Sequence, residues 1–169
     1  MESLQICVMG LGYIGLPTAS LLATKGHHVL GVDVNQNVVE TINQGKIHLK
    51  EPDLDILVKA AVDSGALKAD TKPTKADIFV IAVPTPFTGG HQPDLSYVEA
   101  ATKTIAPYVE RSNLIILEST SPIGTTEQVD HQLQQLRPDL IESGKATFFV
   151  AHCPERVLPG SILRELIEN

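Results

Sequence analysis

Gly10-Leu11-Gly12-Tyr13-Ile14-Gly15 stands directly after a short apolar run, Leu4 to Met9, and opens a segment of helical periodicity. In that setting each glycine has a separate task. The first makes a tight turn, the second lets the backbone approach a pyrophosphate, and the third lets the helix pack closely on the sheet. The amino end of the helix then offers N–H groups and a positive dipole end to the anion. Asp33 lies 18 residues past Gly15, at the end of a second apolar run. That is near the ~20 residues expected for a carboxylate that binds a ribose 2′-hydroxyl. No Arg or Lys occurs between Val34 and Thr41 to meet a 2′-phosphate, which favours NAD over NADP. The plainer alternative for Asp33 is a helix-capping acid.

In a doubly wound sheet, ligands gather outside the carboxyl ends of the strands. Three further segments fall at that edge: Pro84-Thr85-Pro86, the run from Glu118 to Thr126, and His152-Cys153-Pro154-Glu155-Arg156. Strand direction alone therefore brings hydroxyls, a carboxylate, a thiol and a guanidinium toward the reacting half of a bound dinucleotide. Each has an ordinary reading when taken singly: rigid loop prolines, a helix cap at Thr126, a solvated pair at Glu155 and Arg156. No base for Cys153 is identifiable, and a lone thiol beside Pro154 reads as structural. Cys7, inside an apolar run, reads as a small core residue. His27, His28, His48, His91, His131 and His152 show no HxH or HExxH spacing, and the cysteines are 146 positions apart, so no metal site is expected. His27 and His28, after a helix-ending glycine, are expected to face solvent.

The elements that must position these residues alternate. Leu4 to Met9 is a buried strand. A helix from Ile14 carries Leu21 and Leu22, accepts Pro17 in its first turn and stops at Lys25-Gly26. Val29 to Asp33 is a second strand, and Asn35 caps a helix carrying Val38, Val39 and Ile42 that stops at Gly45. Leu54, Leu57, Val58 and Ala61 mark another helix, followed by a short edge strand from Leu67 to Ala69. Asp77 to Val83 and Asn113 to Leu117 are buried strands, and Ser96-Tyr97-Val98-Glu99 reads as a capping box opening a helix toward Pro107. Thr125 or Thr126 caps a helix reaching Arg137-Pro138, and Thr147 to Ala151 is the last strand. The alternation predicts a Rossmann-type α/β fold, a doubly wound parallel sheet with helices on both faces.

The 169 residues fit one domain, 1–169, and 43% apolar with 20% charged residues excludes disordered and fibrous classes. A formal net charge of -7 argues against a nucleic-acid polymer or an anionic bilayer as partner, while leaving room for a local anion site. Two cysteines make no disulfide framework, and Met1-Glu2-Ser3-Leu4 lacks the features of a signal peptide. The most apolar window, Ile78 to Val83, is far short of a membrane span. A cytoplasmic protein, not attached to a membrane, is expected. The chain stops in mid-pattern at Leu166-Ile167-Glu168-Asn169, where exposed apolar surface is expected.

Read together, Gly10 to Pro17, Gly31 to Asn35, Glu51-Pro52-Asp53-Leu54, Ala82 to Pro86, Glu118 to Thr126 and Cys153-Pro154-Glu155-Arg156-Val157-Leu158-Pro159-Gly160 resemble the nucleotide-sugar 6-dehydrogenases of the UDP-glucose/GDP-mannose dehydrogenase family. The resemblance runs in order along the whole chain. It implies two successive hydride transfers to NAD, oxidising a sugar C6 alcohol to a carboxylate through a covalent thioester, for surface polysaccharide synthesis in bacteria. It implies cofactor contacts at Gly10, Gly12, Tyr13, Ile14, Gly15, Asp33, Val83, Pro84, Thr85, Thr120 and Thr126. Thr120 and Glu155 match the hydroxyl and carboxylate that position and activate water, and Glu155, Arg156 and Val157 match substrate contacts. The family's nucleophilic Cys, in a Gly-Gly-His-Cys segment, and its catalytic Lys and Asn match nothing here. The chain is therefore expected to be the NAD-binding part of an enzyme, inactive alone, and the whole enzyme is expected to be a homodimer.

The glucose enzymes usually have Lys where Glu118 stands and Asn-Pro-Glu-Phe where Cys153 to Arg156 stand. These departures point away from UDP-glucose and toward UDP-N-acetyl-D-mannosamine, with another UDP-sugar as the alternative. An NAD-binding sensor module without catalysis is a reading of a different class. A methyltransferase with a ribose-binding acid is disfavoured by the full GxGxxG spacing and by the Pro-Thr-Pro and Pro-Glu-Arg segments.

Overall fold

Alternate residues of the apolar runs are buried on opposite faces, which is why these runs become strands covered on both sides. In β1 (Gln5–Met9), Ile6 and Val8 join one core layer while Cys7 and Met9 join the other. In β4 (Ile78–Ile81), Val80 belongs to the first layer, and Phe79 and Ile81 belong to the second. With β2 (His28–Val32), β3 (Leu67–Asp70), β5 (Leu114–Leu117) and β8 (Phe149–His152), they form one parallel sheet in the order β3-β2-β1-β4-β5-β8. The computed structural model describes residues 2–90, 92–157 and 160–168, with Ile167 and Glu168 as backbone alone. Met1, His91, Leu158, Pro159 and Asn169 lie outside the described residues. Of the expected apolar ending only Leu166 has a described side chain, and it is half-buried.

The first layer is covered by α1 (Gly15–Thr24), α2 (Gln36–Asn43) and α3 (Leu54–Asp63), and the second by α4 (Ser96–Ile105) and α5 (Thr125–Leu136). Helices thus lie on both faces, as expected. Small residues govern the approach of α1 to the sheet: Gly15, Ala19 and Ala23, spaced by one helical turn, are all buried. Asn35 caps α2 as expected, its Oδ1 accepting from the Asn37 N–H at 3.0 Å. Asn43 clamps the β3 edge, donating to Ala69 O at 2.8 Å and accepting from Ala69 N–H at 2.9 Å. No helix among the described residues is long and apolar enough to cross a membrane.

Three local expectations are corrected, and one element is added where the sequence reading assigned none. Ser96 begins α4 rather than capping it, because Asp94 Oδ1 takes the Ser96 N–H at 2.9 Å and no capping box forms. Neither Thr125 nor Thr126 caps α5: Gly124, with φ 93, holds that position, and Thr125 Oγ1 donates to Pro122 O at 2.8 Å. A two-stranded antiparallel pair, β6 (Ile141–Glu142) with β7 (Lys145–Ala146), precedes β8. Its turn, Ser143-Gly144, has φ 50 and 77, the left-handed pair that closes tight hairpins. Finally, His27 is half-buried and its Nδ1 accepts from the Leu4 N–H at 3.3 Å, whereas His28 is exposed as expected.

Candidate functional site

The sheet order reverses between β1 and β4: the chain runs outward through β2 to β3 on one side, and through β5 to β8 on the other. The loops leaving β1 and β4 therefore diverge, and a crevice opens between them at the carboxyl edge. It measures about 400 Å³ and draws its lining from the β1–α1 loop, from Asp33 after β2, from Ala82 to Thr85 after β4, from Glu118 to Thr120 after β5 and from Glu155 after β8. A hollow of about 540 Å³ between α5 and the β6–β7 pair is larger. Convergence of five strand ends, not volume, marks the site.

Gly10 has φ 92, and a Cβ there would lie 2.6 Å from Ala82 O. A Cβ on Gly15 would lie 1.8 Å from Gly10 O, so the turn from β1 into α1 closes only with glycine at that position. Gly12 differs: nothing lies within 4 Å of a Cβ built there. Open space over the loop, at the amino end of a ten-residue helix, fits a diphosphate, and a side chain at Gly12 would fill that space. Asp33 borders the same crevice. Its Oδ2 accepts from the Leu11 N–H at 3.0 Å and its Oδ1 from the Asn35 N–H at 2.9 Å. A carboxylate has about four acceptor positions, so it retains capacity for ribose hydroxyls while bracing the glycine loop. Asp33 is a loop brace and a crevice acid at once, whereas the cap of α2 is Asn35.

At the other end of the crevice, hydroxyls tie the β4 and β5 loops together. Ser119 Oγ donates to Val83 O at 2.7 Å, and Thr85 Oγ1 donates to Thr120 O. Thr120 Oγ1 stands 3.5 Å from Glu155 Oε2, and Glu155 Oε1 accepts from the Val157 N–H. The fold thus brings together Gly10, Gly12, Tyr13, Ile14, Asp33, Val83, Pro84, Thr85, Thr120 and Glu155. Gly15 is buried beneath them. Thr126 is not brought to this crevice; it lines the hollow on the β6–β7 side of α5. Arg156 is exposed and Val157 half-buried, both beside Glu155 but outside the crevice lining.

Neither cysteine is activated. Burial pushes the Cys7 thiol up to about 12, as suits a core residue. Cys153 reaches the surface, yet partial desolvation and the neighbouring Glu118 carboxylate also push its thiol up.

Two acids acquire roles that sequence reading alone did not assign. Glu118 is 6% exposed within the crevice wall, and its Oε1 accepts from Thr18 Oγ1 at 3.2 Å. Its signal is an acid set directly after the all-apolar strand Leu114–Leu117. Glu51 is equally buried, and its two oxygens accept from the Gly160 and Ile162 N–H groups, each at 2.7 Å. It thereby holds the start of α6 (Ile162–Glu168), 111 residues away in the chain. No local pattern could reveal that pairing. Glu51→Ala is expected to cost about 2 kcal/mol, because it leaves the buried Ile162 N–H and the part-buried Gly160 N–H without their charged acceptor. Hydrogen exchange at Gly160 and Ile162 should accelerate far more than in β1, and equal protection in the variant would refute the anchoring role.

The reversed strand order, the tight glycine turn and the acid after β2 define a dinucleotide-binding domain. Residues 4–169 match the NAD binding domain of the UDP-glucose/GDP-mannose dehydrogenase family; the chain belongs to that family, and its cofactor is NAD. It is 59% identical to an NDP-N-acetyl-D-galactosaminuronic acid dehydrogenase of Ralstonia nicotianae, over 97% of this chain and 40% of the relative. It is 56% identical to a UDP-N-acetyl-D-mannosamine dehydrogenase of Campylobacter jejuni, over 98% of this chain and 42% of the relative. Among solved structures, a UDP-D-ManNAc dehydrogenase from Pyrococcus horikoshii superposes with a TM-score of 0.89 at 44% identity, covering 96% of this chain and 38% of that one. The chain therefore spans about 40% of the length of the curated relatives it matches.

Proposed function

We propose that this domain serves a dehydrogenase that oxidises the C6 alcohol of UDP-N-acetyl-D-mannosamine to the carboxylate by two hydride transfers to NAD. The observation that carries the reading is the continuous crevice that joins the glycine loop and Asp33 to the Thr120–Glu155 pair. The amino end of α1 would hold the diphosphate and Asp33 the ribose. NAD, when bound, supplies the hydride acceptor. Thr120 and Glu155 would orient a water molecule, Glu155 serving as its base, and Arg156 and Val157 would meet the sugar nucleotide. A second reading, with an N-acetylgalactosamine configuration in the sugar, is favoured by the 59% identity to the Ralstonia relative. The whole enzyme is read as a cytoplasmic homodimer.

Calorimetric titration tests the cofactor half of this reading. NAD should bind more tightly than NADP, and S-adenosylmethionine should not bind. Asp33→Ala should weaken NAD by about 1 to 3 kcal/mol, the range for loss of a charged hydrogen-bond partner. Unchanged affinity would reduce Asp33 to a loop brace. NADH formation by the full-length gene product, compared among UDP-N-acetyl-D-mannosamine, UDP-N-acetyl-D-galactosamine and UDP-glucose, tests the sugar. This chain by itself should show no such turnover.

A further inference from the structure

Glu118 is the crevice group that the reading above leaves without a task. Among the described residues its Oε2 has no hydrogen-bond partner, although the side chain is only 6% exposed. A buried carboxyl oxygen without a donor is costly, and such an atom at a ligand crevice marks a group awaiting a partner. Its Oε1 is already engaged by Thr18, in the first turn of α1. Glu118 follows β5 and Asp33 follows β2, with β1 and β4 between them, so the two acids stand at opposite ends of the crevice. With the ribose of the adenosine half at Asp33, the redox-active half falls toward Glu118.

The groups facing Glu118 are the Glu155 carboxyl, the Cys153 thiol and the Thr18 hydroxyl, with Asp33 across the crevice. No Lys or Arg lines this crevice among the described residues. None of these lining residues brings a positive charge to the Glu118 carboxyl. The oxidised nicotinamide ring is a cation and the reduced ring is neutral, so the two cofactor forms present opposite electrostatic cases to the same carboxyl. Burial, reinforced by Glu155, pushes Glu118 up to about 7, where either case can move its proton.

We propose that Glu118 is a proton-linked cofactor contact: where it is protonated without cofactor, it releases that proton when the cationic ring of NAD enters the crevice and keeps it when NADH binds. The site then distinguishes the oxidised from the reduced cofactor through one carboxyl. This rests on the NAD reading above.

The test is calorimetry of NAD and of NADH binding in two buffers of unlike ionisation enthalpy, from about pH 6 to about pH 8. NAD binding should release about half a proton near neutrality and tighten by up to about tenfold per pH unit below the Glu118 midpoint. NADH binding should release none. Glu118→Gln should bind both forms with no proton release and no pH slope, while Glu155→Gln should keep the release with a lower midpoint. Equal release for NAD and NADH, or undiminished release in Glu118→Gln, overturns the proposal and leaves the cofactor reading intact. Failure of both dinucleotides to bind the unaltered chain overturns the cofactor reading and this proposal with it. Should Glu118→Gln not fold, the difference between NAD and NADH in the unaltered chain decides alone.

Discussion

Gly15→Ala should cost the domain about 3 kcal/mol or more and abolish NAD binding. The added methyl would sit 1.8 Å from Gly10 O and 3.0 Å from Gly10 C, both backbone atoms of the turn it closes. Neither can move without shifting Gly10, which is itself pinned under Ala82 O and tied by its N–H to Val32 O at 2.8 Å. Overpacking against side chains typically costs about 1 to 3 kcal/mol, and here no rotamer can give way. Gly12→Ala is the informative contrast. Nothing lies within 4 Å of its Cβ, and Gly12 is absent from the residues with positive φ. Stability should stay within about 1 kcal/mol of the parent chain, while NAD affinity collapses because the methyl occupies the open space proposed to take the diphosphate. Urea denaturation and NAD titration of the two variants separate fold from binding. A stable, binding-competent Gly15→Ala would refute the tight-turn account.

Glu118→Gln should change how stability depends on pH. Burial lifts the Glu118 carboxyl to about 7 in the folded chain, against the ordinary carboxyl range when unfolded. Below the unfolded value both states hold the proton, and the group is neutral to folding. As pH rises toward the folded value the unfolded chain loses its proton first, so folding must retain the proton or bury a charge, and stability falls. Above about pH 7 the loss is complete. Each tenfold difference in proton affinity between the folded and unfolded chain is worth about 1.4 kcal/mol, which sets the ceiling of the loss at about 3 kcal/mol. The glutamine variant escapes this loss. Its melting temperature relative to the parent should therefore climb by roughly 5 to 10 °C between about pH 4 and about pH 8, whatever constant offset the amide introduces. A difference independent of pH would show that Glu118 holds its proton no more tightly in the folded chain than in the unfolded one.

The core of this domain was readable because it is written locally. A parallel strand covered on both faces is a run of apolar residues, and Gln5–Met9, Ile78–Ile81 and Leu114–Leu117 are such runs. The glycine turn and the place of Asp33 were readable for the same reason, since one βαβ unit holds both. Elements that rest on short polar segments were read less well. Ser96 lost the capping role because the chain enters α4 one residue earlier, with Leu95 at the cap and the Ser96 N–H given to Asp94 Oδ1, a choice that only backbone geometry makes. The β6–β7 pair has two residues per strand, too few for any periodicity to register.

By itself the sequence determined the doubly wound class, the NAD cofactor and the edge of the sheet at which the crevice opens, since these depend on spacing within a few tens of residues. Tertiary structure decided which edge residues share a crevice: it joined Thr120 to Glu155 and placed Thr126 on the β6–β7 side of α5. It also decided the states of the acids. Glu51 and Glu118 are equally buried, yet the first meets two N–H groups at the start of α6 while the second keeps an oxygen without a donor. Burial and hydrogen-bond partners come from chain segments far apart in sequence, and they set what a carboxyl group can do.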